Sequence, residues 1–453
     1  MYFVKKFQKK IILILDFDWI NVNQSLSLHN DLNGLIVVVD FFTYCCINCL
    51  HILPKLHHIE QRFDESVLVI GIHSPKFPNE KDIANVADAV IKYDITHPIA
   101  NDPDAFVWNE LDIQCWPTVL IIGPNAQLLM TLVGETGIND YLELYCSTAI
   151  EYFNKRNQID SNRAKHLPIK LLKNNKSSNV LCFPGKLTVS LDGSLIAISD
   201  SKHNRVLIVT LAGIILHIIG SGKAGFEDGS LNEAQFNNPQ GLSWKNNKTL
   251  YLADTDNHAI RELNIDEKQV KTLVGNGQQG FDKIGGNIGV DQCLSSPWDV
   301  SFADEILYIA NTGVHQIWAL ILSDEVMVMG KSYIQGSCFA FSGNGEEANR
   351  NNSYPKNASF AQPSGICYDK LNKVVYVADS ESSSIRSINA VTGSVQGIVG
   401  GDINPLHLFA FGDVDGKGTK AKLQHPLGIA VGSDSQILFV ADTYNHKASD
   451  DFK

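Results

Sequence analysis

The stretch VVVDFFTYCCINCLHILP, residues 37–54, decides how the first third of this chain is read. It begins inside a nearly continuous apolar run, Leu35 to Phe42, the pattern of a strand covered on both faces. It ends in a different period: Leu50, Leu53, Leu56 and Ile59 fall on one side of a helix expected over 49–63. Between the two stands Cys46-Ile47-Asn48-Cys49. A Cys-x-x-Cys at a strand-to-helix junction has a chemical consequence. The helix start presents unpaired N–H groups and a partial positive charge, which favour a thiolate on the first cysteine. Cys46 is therefore the expected nucleophile. Cys49, one turn into the helix, is the expected resolving thiol, and the pair can close a disulfide by exchange.

Further strands are expected at Val67–Ile72, 119–122 and Leu128–Val133, with helices at Asp82–Tyr93 and Tyr141–Phe153. Strand, helix, strand, helix, a strand pair and a closing helix make an α/β domain. About residues 20–155 resemble the thioredoxin fold, and the additional strand and helix between Val67 and Tyr93 bring it nearer the redoxin-like branches. The resemblance assigns roles. Asp40, six residues before Cys46, matches the buried acid that takes a proton from the second cysteine, with its pKa raised by burial. Pro117, in Trp116-Pro117-Thr118, matches the cis-proline that lies against the dithiol. Pro54 matches the helix kink. The chain also departs from the pattern. Cys45 stands where Trp is usual, and Ile47-Asn48 replace Gly-Pro, the residues that tune the reduction potential. Cys45 and Cys115 are accessory thiols able to compete. Zinc would need a second cysteine pair or histidines at ligand spacing. His51, His57 and His58 instead follow the motif along one helix, where solvated positions are expected.

After residue 158 the pattern changes. A polar stretch reads as a linker over 159–178, and no helix is expected beyond it. From 179 to 453 one line recurs: Pro-x-Gly-apolar, a strand, Ala-Asp-Ser/Thr, a polar turn, a strand, then Gly. Copies begin at Pro184, Pro239, Pro297, Pro363 and Pro426. Asp200, Asp254, Asn311, Asp379 and Asp442 follow 14 to 16 residues later. A feature that repeats with the unit serves the unit. A short side-chain oxygen at a strand end accepts backbone N–H groups and fixes the turn, and Asn204, Asn257, His315 and Asn445 are expected to do similar work. Gly220, Gly275, Gly330 and Gly400 are read as the ends of the fourth strands. Four short strands per unit make one propeller blade, and blades bury their faces only by stacking.

These repeats resemble NHL repeats. Together with the thioredoxin-like region over 1–158 they resemble the NHL repeat-containing protein 2 family. That resemblance implies a multidomain protein, α/β then all-β, cytosolic and needed in animal development. The family's propeller has six blades and is followed by a β-rich domain. This chain supplies about four and a half blades, which reads as a truncated gene model or an isoform.

Composition narrows the partners. A net charge of −12 over 453 residues makes nucleic acid an unlikely partner. The basic cluster Lys5, Lys6, Lys9 and Lys10 is followed by only five apolar residues, Ile11 to Leu15. That is too short for a secretory leader or a membrane span, so it reads as a strand or an irregular start. Nine cysteines, odd in number and mostly scattered, do not form a secreted disulfide framework and point to the cytosol. No cofactor or metal is called for. Two readings stand open. In one, a redox-competent scaffold exchanges thiols with a protein client held by propeller and thioredoxin cleft. In the other, a protein-binding scaffold retains the thioredoxin fold without its chemistry.

Overall fold

In the computed structural model the chain divides into two compact units, Met1–Asn174 and Asn175–Lys453. Residues 17–172 and 178–449 are described. The basic cluster and the apolar run at 11–15 lie outside them.

The first unit contains β1 (Trp19–Ile20), β2 (Ile36–Phe42), α1 (Ile47–Arg62), β3 (Val67–His73), α2 (Ile83–Lys92), β4 (Ile99–Asn101), α3 (Phe106–Glu110), β5 (Thr118–Ile122), β6 (Leu128–Val133) and α4 (Gly134–Asn154). One sheet runs β1-β4-β3-β2-β5-β6. β2, β3 and β4 are parallel, and β5 and β6 run antiparallel to their neighbours. Alternation along β2 feeds two apolar layers. Val37, Val39 and Phe41 face a cluster with Leu28, Leu32 and Val107. Ile36 and Val38 face Ile52, Leu56 and Ile59 of α1 and Ile138, Leu142 and Cys146 of α4. By the same alternation Asp40 and Phe42 belong to the face that α1 covers.

Helix α4 begins at Gly134, seven residues before the expected start at Tyr141. The run Gly-Glu-Thr-Gly reads as a turn, but Ile138 is fully buried against α1, and that packing extends the helix through the glycines. The strands β1 and β4 were not expected. They are two and three residues long, too short for a periodic signal. The segment read as a linker belongs to this unit as far as Leu172. Asp160 N–H donates to the Gly34 carbonyl (2.9 Å), Asn23 N–H to Pro168 (3.0 Å) and Lys170 N–H to Asn21 (2.8 Å). Ala164 and Leu167 pack on the core. Gly34 sits at φ +92° directly against Asp160, so a side chain there would collide with the returning chain.

The second unit consists of antiparallel sheets arranged as five propeller blades. Their second strands, Leu195–Asp200, Thr249–Asp254, Ile306–Asn311, Val374–Asp379 and Leu438–Asp442, each end on the recurrent acid or amide. Four blades have four strands or more and the fifth has three among the described residues. At each of these ends the side-chain Oδ1 accepts the N–H of the residue two before the blade's proline: Cys182 (2.6 Å), Asn237 (2.8 Å), Ser295 (2.9 Å), Ala361 (2.7 Å) and Gln424 (2.7 Å). Where the residue is Asp, the second oxygen meets a turn residue: His203, Asn257, Ser382 or Asn445.

The hydroxyl after the acid reaches the next blade. Ser201 donates to the Pro239 carbonyl, Thr255 to Pro297, Thr312 to Pro363 and Ser380 to Pro426, at 2.5 to 2.8 Å. The turn then closes on a left-handed residue, Asn204, His258, His315 or Ser383, with φ of +49° to +55°. Its side chain accepts the N–H just before the next blade's proline. The turn asparagines and histidines therefore do two jobs: Asn257 and Asn445 brace their own Asp, while Asn204 and His315 join blades. Lys186 ties blades further apart. From the first blade its ammonium donates to Asp299 of the third (2.8 Å), the Ser364 carbonyl of the fourth (2.7 Å) and the Leu427 carbonyl beside the fifth (2.6 Å).

One repeat position is corrected. Val326–Val328 is not the outer strand of the third blade. It pairs with Lys331–Tyr333 in an inserted hairpin, and the outer strand is Ser337–Ser342. Gly343, not Gly330, is the counterpart of Gly220, Gly275 and Gly400. All four have positive φ and lie against the carbonyl of the left-handed turn residue.

No helix among the described residues is long and apolar enough to cross a membrane. Asp254 and Arg261 form an ion pair with both side chains fully buried, so breaking it strands a charge. Asp254→Ala is expected to destabilise the second unit by about 3–5 kcal/mol. Thr255→Val, which removes only the hydroxyl joining two blades, should cost about 1 kcal/mol. Urea unfolding followed by tryptophan fluorescence measures both, and equal losses would contradict the assignment.

Candidate functional site

Helix α1 starts immediately after Cys46. That residue has extended backbone (φ −80°, ψ 115°) and makes no side-chain capping bond. Its carbonyl accepts the N–H groups of Cys49 (3.1 Å) and Leu50 (3.2 Å), which begin the helix. The two cysteines differ in access: Cys46 is half-buried and Cys49 is buried. Burial pushes the Cys49 thiol well above its ordinary value, and interaction with Cys46 and the charge of Asp40 push it the same way. Left alone, Cys49 stays protonated.

Asp40 lies on the α1-facing side of β2. It is fully buried, and neither carboxyl oxygen has a hydrogen-bond partner among the described residues. Burial pushes its pKa up to about 8. It is thus a carboxyl that exchanges its proton near neutrality, electrostatically linked to a thiol that must lose one.

The Trp116–Pro117 peptide is cis. Phe41 of β2 pairs with Thr118 of β5, which brings this loop to the end of β2 from which the cysteines follow. The Pro117 carbonyl accepts the Gly134 N–H (3.0 Å). Cys46 and Trp116 both pack against the cluster that contains Phe42 and Cys49. The expected residues Asp40, Cys46, Cys49 and Pro117 therefore gather at one end of the sheet. Of the accessory thiols, Cys45 is buried with its sulfur 3.7 Å from the Thr43 hydroxyl. Cys115 is half-buried, 4.0 Å from the Thr118 hydroxyl.

Three residues here escaped sequence reasoning. Glu80 is fully buried. It accepts the Thr43 hydroxyl (2.7 Å) and the N–H groups of Cys45 (3.1 Å), Lys76 (2.9 Å) and Phe77 (3.0 Å). His73 is buried between Phe42 and Tyr44, and burial pushes it down to about 4, so it is neutral. Glu80 sits in a charged loop, Asn79-Glu80-Lys81, and nothing in that composition signals burial. His51 was expected in solvent. Its side chain is only 5% exposed and meets Glu135 of α4 at 3.0 Å, whereas His57 and His58 are half exposed. The longer α4 is what covers it. Among the described residues no group of three or more His, Cys, Asp and Glu side chains could hold a metal ion.

Fold and site together define a thioredoxin-like domain fused to an NHL-type β-propeller. A thioredoxin-like family model matches residues 34–128. The chain is homologous to NHL repeat-containing protein 2 along 95% of its length. It is 47% identical to the Gallus gallus protein over 444 residues and 46% identical to the Homo sapiens protein over 442 residues. It spans 60% of the length of each. It is also 44% identical over 439 residues to the Arabidopsis thaliana protein SUPPRESSOR OF QUENCHING 1, chloroplastic, spanning 40% of that protein.

Asp40 makes stability depend on pH. Its folded pKa of about 8 lies above the ordinary carboxyl value of 3.8, so the folded state holds a proton that the unfolded state has released. Stability of the first unit should fall as pH rises from about 4 to about 8, by up to roughly 1.4 kcal/mol per unit. Asp40→Asn should raise the melting temperature at pH 7.5 and leave it nearly unchanged at pH 4. Thermal unfolding at the two pH values checks this, and an equal effect at both would refute a buried neutral carboxyl.

Proposed function

We propose that the first unit performs thiol–disulfide exchange on a protein client and that the propeller presents the surface holding that client. The observation that carries the reading is Asp40. A fully buried carboxyl without hydrogen bonds is costly, and a domain kept only as a scaffold gains nothing from it.

In the exchange, the Cys46 thiolate attacks one sulfur of a client disulfide. A mixed disulfide forms and the first client thiolate leaves. Asp40, after releasing its own proton to solvent, takes the proton of Cys49 and is neutral again. The Cys49 thiolate attacks the Cys46 sulfur, the second client thiolate leaves, and a Cys46–Cys49 disulfide remains. Two electrons pass from the protein dithiol to the client, and the reverse sequence oxidises a client dithiol. Repeated blades with exposed connecting loops suit the holding of a protein surface. A cytosolic location belongs to the same proposal. Exchange of this kind starts from a reduced dithiol, which a reducing compartment maintains.

The test is disulfide reduction with a model client, insulin, and disulfide mapping in glutathione buffers. Wild type should form a Cys46–Cys49 disulfide. Cys46→Ser should abolish turnover, Cys49→Ser should accumulate a mixed disulfide through Cys46, and Asp40→Asn should slow resolution by about 100-fold. Absence of the Cys46–Cys49 disulfide at every glutathione ratio would leave the non-catalytic scaffold as the function.

A further inference from the structure

We infer that Glu80 is a positioning residue that decides which of three adjacent thiols reacts, by holding Cys45 inside the protein while Cys46 stays at the surface. The inference rests on the exchange reading for its use, and on geometry for its content.

Cys45, Cys46 and Cys49 lie within five residues, so thiol competition is built into the sequence. Vicinal cysteines confuse exchange: a mixed disulfide on Cys46 can be attacked from Cys45 as well as from Cys49. The loop between β2 and α1 separates them. Glu80 Oε1 accepts both the Thr43 hydroxyl (2.7 Å) and the Cys45 N–H (3.1 Å). Oε2 accepts the N–H groups of Lys76 (2.9 Å) and Phe77 (3.0 Å). The carboxylate therefore clasps the loop that carries the cysteines to the loop after β3. The Thr43 hydroxyl, oriented by Glu80, lies 3.7 Å from the Cys45 sulfur. Cys46 N–H donates to the Thr43 carbonyl (3.3 Å), so the same clasp sets the residue from which Cys46 departs. The outcome is visible in exposure: Cys45 is buried and Cys46 is half-buried.

A carboxylate is required. All four of these groups are donors, and both oxygens are used. An amide at position 80 turns an NH2 toward two donors and breaks one side of the clasp. Once freed, the Cys45 thiolate can attack glutathione disulfide, forming a Cys45–glutathione bond and releasing glutathione thiolate.

The experiment uses the whole chain with two readouts. Native-state alkylation with a small iodoacetamide, mapped by mass spectrometry, gives the reactivity of each cysteine. Oxidation by glutathione disulfide gives the pairing. In wild type, Cys46 should be labelled and Cys45 protected, with Cys46–Cys49 the product. In Glu80→Gln, Cys45 labelling should rise at least tenfold, and Cys45–glutathione and Cys45-containing disulfides should appear. Thr43→Val removes only the hydroxyl and leaves the backbone clasp, so it should expose Cys45 in the same direction even if Glu80→Gln folds poorly. Adding Cys45→Ser to Glu80→Gln should restore a single product. Unchanged Cys45 labelling in both Glu80→Gln and Thr43→Val overturns the inference. A wild type with Cys45 protected but no disulfide formed would overturn the exchange reading and leave the role of Glu80 in place.

Discussion

β2 runs through the middle of the first unit with all seven residues buried, so its one acid cannot reach water. That constraint organises the site. Asp40 shares the helix-facing side of the strand with Val38 and Phe42, and α1 begins just beyond the strand's end. Without solvent or a hydrogen bond, the carboxyl holds its proton to a pKa of about 8. Its charge is felt at Cys49, whose thiol burial has already made a poor acid. The same burial that forms the sheet core thus makes the acid and the thiol dependent on each other.

The second unit solves a different problem by repetition. In the second, third and fourth blades the inner strand starts with proline, which has no N–H, after two residues whose N–H groups need partners. Its own blade's acid takes one and the preceding blade's left-handed turn residue takes the other. The proline carbonyl receives the hydroxyl that follows the preceding blade's acid. One short motif therefore holds a blade together and fastens it to its neighbour. Its recurrence at fixed spacing is why the repeat was readable without any structure. The recurrent acids are thus engaged in hydrogen bonds at every blade that has one.

The loop around Glu80 shows how the first unit differs. Its bonds join segments 35 residues apart in the chain, and its partners are mostly backbone N–H groups. Backbone donors leave no trace in side-chain composition. A buried carboxylate with four donors and a surface carboxylate look alike as letters. His51 teaches the same lesson: its burial comes from α4, whose start at Gly134 only packing could set.

The sequence by itself determined the two-part architecture, the placement of Cys46 and Cys49 at a helix start, Asp40 in a buried strand, Pro117 before β5, and the periodic acids of the blades. Each of these is local or periodic, set by the spacing of apolar residues, by turn chemistry, or by a motif of fixed length. Only the tertiary structure decided that residues 160–172 fold back onto the first unit, that Gly343 and not Gly330 closes the third blade, and that Glu80 clasps the cysteine loop. It also decided that Cys45, next to the half-buried Cys46, is buried. Those outcomes depend on which distant surfaces meet, and burial against a partner far along the chain overrides what the local sequence favours.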